Sequence, residues 1–501
     1  MGDLILGIDI GTTGTKCTIY NYSGEIAASA YQDYPMIHPQ LNWTEQDPNV
    51  WWSCVRSNLH KCFENDGINS GRISVIGLSC TNAVTLVDSC GNPLYNAIGL
   101  HDQRSDEQVR WLENKIGSSR LRKTGGNRLA KGTCALTSMR WIIDNHPELI
   151  CRGNKFLTPD GFIIKKLTDR FSINCSRMDL TLLGSIHTGK WEKDIIDLAE
   201  VPEYLLPPVY NSDEIVGTVT RQAAEATGLK EGTPVTAGAV DTMAATIGSG
   251  AVNTGDFAIT IGSSGRICSI SGSPAEDEKL LNIHLAFDNR YVICQSTDNA
   301  GVSLRWFRDS FGDAFKESAA MNGVNLYRQI DLAAEKSGPG ADGIIFLPYL
   351  SGEKSPIWNS HARGVFFNIG LNTSIGSFAR AVLEGVAFSI KECSELVVNE
   401  SNRDEPIPIG GGVANSPLWC QIFADILDRP MLRLKSNETE TLGDMIIAAQ
   451  AIGIKEIPKD FGKAMARKGE IIYPDRNNRG LYEQCYQKYK DLYQALKPVY
   501  Y

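Results

Sequence analysis

Apolar and polar positions along the chain follow one plan twice. Residues 4–34 read as a meander, with "LILGIDI", "KCTIYN" and "IAASAYQ" as strands and "GTTGT" and "YSGE" as turns. An Asp-Pro start then leads into "NVWWSCVRSNLHKCFE", whose apolar residues have helical spacing. "ISVIGLSC" is a short apolar run of the buried-strand type, and "VTLVDSCGNPLYNAIGL" predicts strand, turn, strand. Residues 105–235 alternate helical and polar stretches and include the Pro-rich joint "LLPPV".

The plan then restarts. "DFAITIG" and "RICSISGS" flank "SSG" as a strand pair, and "LLNIHLAFDNRYVICQS" predicts a hairpin around Asp288-Asn289. "GVSLRWFRDSF" reads as a helix. The stretch 375–397 reads as a long amphipathic one, with Ile375, Phe378, Val382, Val386, Ile390, Cys393 and Val397 on a stripe. Arg380, Glu384 and Glu395 fall off that stripe. "PIPIGGG", "SPLWCQIFADILD", "PMLRL" and "TLGDMIIAAQAIG" predict a strand, a helix, a strand and a helix. Each half is thus an α/β unit that opens on a meander.

The two openings share a frame. "IDIGTTGTKCTI" (8–19) laid over "ITIGSSGRICSI" (259–270) without a gap keeps Ile, Ile, Gly, Gly, Cys and Ile in register. Thr12 and Thr13 face Ser263 and Ser264, Asp9 faces Thr260, and Lys16 faces Ile267. Two accounts fit: coincidence between two Gly-turn hairpins, or a duplication with a cleft between the halves. Gly11 and Gly262, each followed by two hydroxyl residues, let backbone N–H groups and hydroxyls converge on an anion. A carboxylate beside phosphates is repelled unless a cation stands between, so Asp9 implies Mg²⁺, held directly or through water. Lys16 either neutralises phosphate charge or lies at the strand surface. "GSIHTGKW" (184–191) fits GxxxxGK but ends in Trp191, where a phosphate loop needs Ser or Thr, and reads as a surface turn.

Composition narrows the classes. A formal charge of -9 over 501 residues argues against a nucleic-acid or anionic-membrane surface. No apolar run approaches the roughly 20 residues that cross a bilayer. "MGDLILGIDIG" lacks the basic region and cleavage site of a signal peptide. The 13 cysteines contain no CxxC and fit reduced, buried thiols of a cytoplasmic protein.

The two-part layout, "GIDIGTTGTK", "TIGSSG", "LPYLSGEKSPIWNSHARGVFFNI" and "GGGVANSPLWCQIFADIL" together resemble the FGGY family of sugar kinases, over essentially the whole chain. The resemblance implies two ribonuclease-H-like domains of the actin-like ATPase superfamily with a central cleft, divided here as 1–245 and 246–501. It implies transfer of the γ-phosphate of Mg-ATP to a hydroxyl of a small sugar, with D-xylulose first and gluconate second. A homodimer is the assembly it implies.

Site residues follow from the same resemblance. Asp241, in "AGAVDTMAATIGSGA", is either a helix N-cap or, as the family motif implies, the base that takes the sugar proton; both roles are compatible. Family members acting on xylulose often carry Asp-Asn where this chain has Asp241-Thr242. Gly410, Gly411, Gly412 and Asn415 match the family's nucleoside segment, alternatively a plain strand-to-helix connection. Gly11, Thr12, Thr13, Lys16, Gly262, Ser263 and Ser264 are the phosphate candidates. Thr81 and Asn82 stand where the family usually has Met-His. Asp102 and, more weakly, Arg104 match a sugar-contacting segment, alternatively a solvated turn. Trp306 lies near the nucleotide or in the core. Two other classes stay in view: an actin-like or chaperone-like ATPase without a sugar, and a sugar-sensing module without catalysis.

Overall fold

A computed structural model describes residues 2–65, 67–397 and 404–500. The chain forms two compact units. The first comprises Met1–Val252, Ser271–Ile293 and Glu438–Lys463; the second comprises Asn253–Ile270, Cys294–Asn437 and Ala464–Tyr501. The path is interleaved, so a cut between residues 245 and 246 leaves three segments of the later half, 246–252, 271–293 and 438–463, with the first unit.

The first unit is built on a mixed sheet. Its strands are β1 (Leu4–Ile10), β2 (Gly14–Asn21), β3 (Ile26–Asp33), β4 (Ile73–Cys80), β5 (Ile215–Thr218) and β6 (Pro234–Thr236), in the order β5-β6-β4-β1-β2-β3. A short β7 (Ala239–Val240) also pairs with β4. β1 runs parallel to β4, and β7 parallel to β4, so three strands end at the same edge. β1 and β4 are buried along almost their whole length, which explains their continuous apolar runs.

Two helices complete that edge. α1, Asp241–Gly248, starts directly after β7. α2, Thr439–Ala451, returns from far along the chain and packs against α1, β1 and β4. The two helices cross at Gly248 and Gly443: a Cβ at Gly248 would overlap Thr439 O, and one at Gly443 would overlap Ala244 O. Only glycine lets the backbones approach so closely.

The second unit repeats the arrangement. β8 (Phe257–Ile261) and β9 (Gly265–Ser271) are antiparallel; β8 is parallel to β10 (Ile407–Gly411), and β10 to β11 (Met431–Arg433). Two helices matter to the site: α3 (Gly301–Phe311) and α4 (Ile375–Val397), the latter as its apolar spacing predicts. Two of the three off-stripe charges of α4 are nevertheless not solvent-facing. Arg380 and Glu384 are 4% and 1% exposed and bond each other at 2.7 Å. Tyr482, from helix Arg479–Leu496, accepts from Arg380 and donates to Glu384 at 2.6 and 2.9 Å. Arg380 and Glu384 pair with each other under a second helix, which single-helix periodicity cannot reveal, whereas Glu395 is exposed.

Among the described residues none of the 13 cysteines forms a disulfide, and 11 are buried. "GSIHTGKW" forms a minimal hairpin, Gly184–Ser185 against Lys190–Trp191, not a strand-to-helix phosphate loop.

Candidate active site

In the first unit the ends of the three parallel strands gather the candidate side chains. Asp9 stands opposite Ser79 on β4, and Ala239, two residues before Asp241, also pairs with Ser79. Ligands of such sheets bind outside the carboxyl ends of the strands. The turn after β1 is tied to the turn after β4: Thr81 N donates to Ile10 O at 2.8 Å, and the hydroxyls of Thr12 and Thr81 lie 2.7 Å apart. A phosphate candidate and a sugar candidate therefore touch.

The glycine-hydroxyl turn is shaped by what holds its carbonyls. Gly11 N donates to Gly14 O at 2.9 Å and closes the turn. Tyr34 donates its hydroxyl to Gly11 O (2.6 Å) and its amide to Thr13 O (3.0 Å), and Gln46 Nε2 donates to Thr12 O at 2.7 Å. With three successive carbonyls held by donors, the half-buried Thr12 and exposed Thr13 are left to present N–H and hydroxyl groups.

Carboxylates crowd the same edge. Ser79 Oγ lies 3.1 Å from Asp9 Oδ1 and 3.0 Å from Asp444 Oδ2. A hydroxyl has one proton to give, so Ser79 can donate to only one of the two carboxylates at a time. Burial, then the charges of Glu440 and Asp241, push the Asp9 carboxyl well above the usual carboxylate range, against Ser79 and Lys16. Burial and then Asp9 push Asp444 up likewise. Asp444 is fully buried, and its Oδ1 has no hydrogen-bond partner. Hard oxygen donors with surplus negative charge are a set that a cation such as Mg²⁺ completes. Among the described residues no three His, Cys, Asp or Glu side chains form a full metal cage. Mg²⁺ ordinarily takes one or two carboxylates and fills its shell with water and phosphate.

Asp241 is the first residue of α1, with Val240 as N-cap. Its Oδ1 accepts from Thr242 N (2.5 Å) and Thr242 Oγ1 (3.0 Å), so it supports the helix start. Val240 N in turn donates to Ser176 Oγ at 3.0 Å, which fixes the approach to Asp241.

Other candidates have firmer engagements. Lys16, opposite Asp9 on β2, pairs its ammonium with Glu438 at 2.8 Å. Asn82 Nδ2 donates to Gly132 O and Thr133 O at 3.1 and 2.8 Å, so its remaining polar atom is Oδ1. Asp102 is 1% exposed and is no solvated turn residue. It accepts from Thr44 N (2.7 Å) and Arg104 N (2.9 Å), and pairs with the Arg104 guanidinium at 2.8 Å. That guanidinium also bonds Glu45 at 2.7 Å and lies 3.8 Å from the Trp43 ring centroid. Asp102 and Arg104 are thus tied to each other and to the segment 44–45, with both Asp102 oxygens accepting hydrogen bonds.

In the second unit β8 ends on Gly262, Ser263 and Ser264. Gly262 N donates to Ser264 O at 2.9 Å, and Gly262 O and Ser263 O accept from Gly301 N and Val302 N, both at 3.0 Å. Arg305 Nη2 donates to Ser263 Oγ at 3.2 Å. Beside this turn β10 enters Gly410, Gly411 and Gly412, with Thr260 opposite Gly410 and Ile261 opposite Gly411. Gly411 has φ 82°, and a Cβ there would stand 2.5 Å from Ile261 O. Gly412–Asn415 forms one 3₁₀ turn, after which Ser416 caps helix Pro417–Leu427. Gly412 and Asn415 are exposed. Trp306 packs on Phe346 and Phe366 and belongs to the core side of α3.

Ser79, Glu440, Asp444, Tyr34 and Gln46 escaped sequence reasoning. Asp444 carried one signal: it is the lone charge in the apolar helix "TLGDMIIAAQAIG".

Among the described residues no helix is long and apolar enough to cross a membrane. Curated relatives include the gluconokinase of Bacillus licheniformis, 29% identical over 458 residues, covering 90% of this chain and 88% of the relative. The xylulose kinase of Bacillus subtilis (strain 168) is 29% identical over 500 residues, covering 99% and 97%. Among solved structures, the xylulose kinase from Rhodospirillum rubrum matches with a TM-score of 0.86 at 26% identity, covering 99% of each chain. The N-terminal domain model of the FGGY family of carbohydrate kinases matches residues 4–248, and its C-terminal domain model matches residues 257–452. The chain belongs to the FGGY family of carbohydrate kinases.

Proposed function

We propose that this carbohydrate kinase transfers the γ-phosphate of Mg-ATP to a hydroxyl of a small sugar, with D-xylulose the first acceptor to test and gluconate the second. The observation that carries the reading is the meeting of Asp9, Thr12, Thr81 and the approach to Asp241 at one sheet edge. Asp241 takes the proton of the acceptor hydroxyl as its oxygen attacks the γ-phosphorus and the bond to the ADP oxygen breaks. Thr81 and the Oδ1 of Asn82 orient the acceptor, while Asp102 braces the loop behind them. The two hydroxyl-glycine turns hold phosphate oxygens through N–H and OH groups. Lys16, through its pair with Glu438, moderates the acidic edge. Gly410, Gly411, Gly412 and Asn415 give the nucleoside a surface without side-chain bulk. Asp9 is the residue that would hold Mg²⁺; bound there, the ion would offset the charge of the transferring phosphate.

Xylulose and gluconate are named because relatives of comparable identity carry both activities in their names. The test is an ADP-release screen over pentuloses, hexonates, glycerol and erythritol. A specific acceptor should raise release well above the no-sugar control. If none does, the acceptor role of Asp241 falls and an ATPase without a sugar gains.

A further inference from the structure

The segment "YLSGEKSP" (349–356) carries a buried acid to which the reading above gives no task. Glu353 is 3% exposed. Its Oε1 accepts from Asp298 N (2.7 Å) and Lys354 N (3.0 Å), and its Oε2 from Thr297 Oγ1 (2.6 Å) and Asn299 Nδ2 (3.3 Å). Asn299, fully buried, extends the network: Nδ2 donates to Gly352 O at 2.6 Å, and Oδ1 accepts from Ser351 N and Oγ at 3.2 and 2.9 Å. Two segments, 297–299 and 351–353, are thus joined by side-chain bonds that converge on one carboxyl.

The joined segment leads straight into α3. Ser303 Oγ donates to Asn299 O at 2.8 Å, and Ala300, the N-cap, has no side-chain cap to offer. The first two N–H groups of α3 are those that hold Gly262 O and Ser263 O. Where α3 begins therefore decides where the carbonyls of the second turn point, and so where its N–H groups point. A buried carboxyl is costly, and one accepting several hydrogen bonds is a stiff anchor.

We propose that Glu353 is a positioning residue for the nucleotide: it fixes Thr297–Asn299, and through the start of α3 it sets the geometry of the Gly262–Ser264 turn. This rests on the reading of that turn as a phosphate site. The test is isothermal titration of the full chain with the ATP analogue AMP-PNP and Mg²⁺, comparing wild type, Glu353→Ala, Glu353→Gln and the double variant Ser263→Ala/Ser264→Ala. Glu353→Ala should bind about tenfold more weakly. Its KM for ATP should rise in step, while kcat and the KM of the acceptor found by the ADP-release screen stay level. Glu353→Gln keeps the acceptor for Asp298 N but turns an NH₂ toward Asn299, so it should recover most of the loss, to about threefold below wild type.

Wild-type affinity in the double serine variant would overturn the phosphate-site reading itself. Weakened binding there with wild-type affinity in folded Glu353→Ala would overturn the role of Glu353 alone. Should the alanine variant not fold, Glu353→Gln carries the test, and wild-type affinity in it overturns the role.

Discussion

The turns at Gly11–Gly14 and Gly262–Gly265 solve one problem in two ways. Both aim N–H groups outward by holding carbonyls back. The first turn uses side chains, Tyr34 and Gln46, from the chain that follows it. The second uses the N–H groups at the start of α3. The register corrects the ungapped overlay of the two sequences. On the first hairpin Asp9 faces Lys16 and Ile10 faces Thr15, but on the second Ile261 faces Gly265, so the second turn is one residue tighter. Arg266, not Ile267, then stands opposite Thr260, where Lys16 stands opposite Asp9. Both copies keep the cation. What differs is the acid: the first turn sits among Asp9, Glu440 and Asp444, and the second beside Arg305 and a helix start. On the proposed function, the first turn would take a cation with the phosphate and the second the phosphate alone.

The largest expected effect comes from the acid at the first site. Asp241→Ala should lower kcat by about 10²–10⁴-fold, the usual worth of a general base, while AMP-PNP binding stays near wild type. Steady-state kinetics with parallel titration checks both halves; near-normal turnover would remove Asp241 from the chemistry. Next, Thr260→Asp gives the second turn the acid of the first. Without the neighbouring acids that would share a metal ion with it, the new carboxylate should raise the KM for ATP about tenfold, less at high salt. An unchanged KM would mean that the charge difference between the turns has no consequence.

The smallest effect is on stability. The Asp444 carboxyl is held well above its unfolded value by burial and by Asp9. A raised carboxyl contributes stability that is present below its unfolded pKa and is lost as pH climbs toward the raised value. The wild type should therefore lose melting temperature relative to Asp444→Asn as pH rises above the ordinary carboxylate range. Parallel melting curves that do not diverge would mean that no charge is buried there.

Much of this was legible in the chain. Strand runs such as "LILGIDI" and "FAITI" and the stripe of 375–397 are periodic and local, so they declare themselves. The paired turns were legible because glycine and hydroxyl residues keep their order. The return of Thr439–Ala451 to the first unit was not, because a crossing at Gly248 and Gly443 depends on two distant backbones meeting. Asp102 could be read as a sugar contact or a solvated turn, and its burial was hidden, because Thr44, which bonds it, and Glu45 and Trp43, which hold Arg104, lie about sixty positions earlier. Glu353 was visible only as part of a family-like segment, since its partners are the backbone and side chains of 297–299.

The difference between the turns is tested most directly by a magnesium titration of Asp9→Ala beside the wild type, at saturating ATP and acceptor. The account expects the Mg²⁺ concentration for half-maximal rate to rise at least about tenfold, with Mn²⁺ binding in the presence of ADP weakened in step. A titration curve that overlays the wild type, with Mn²⁺ bound as tightly as before, would contradict it.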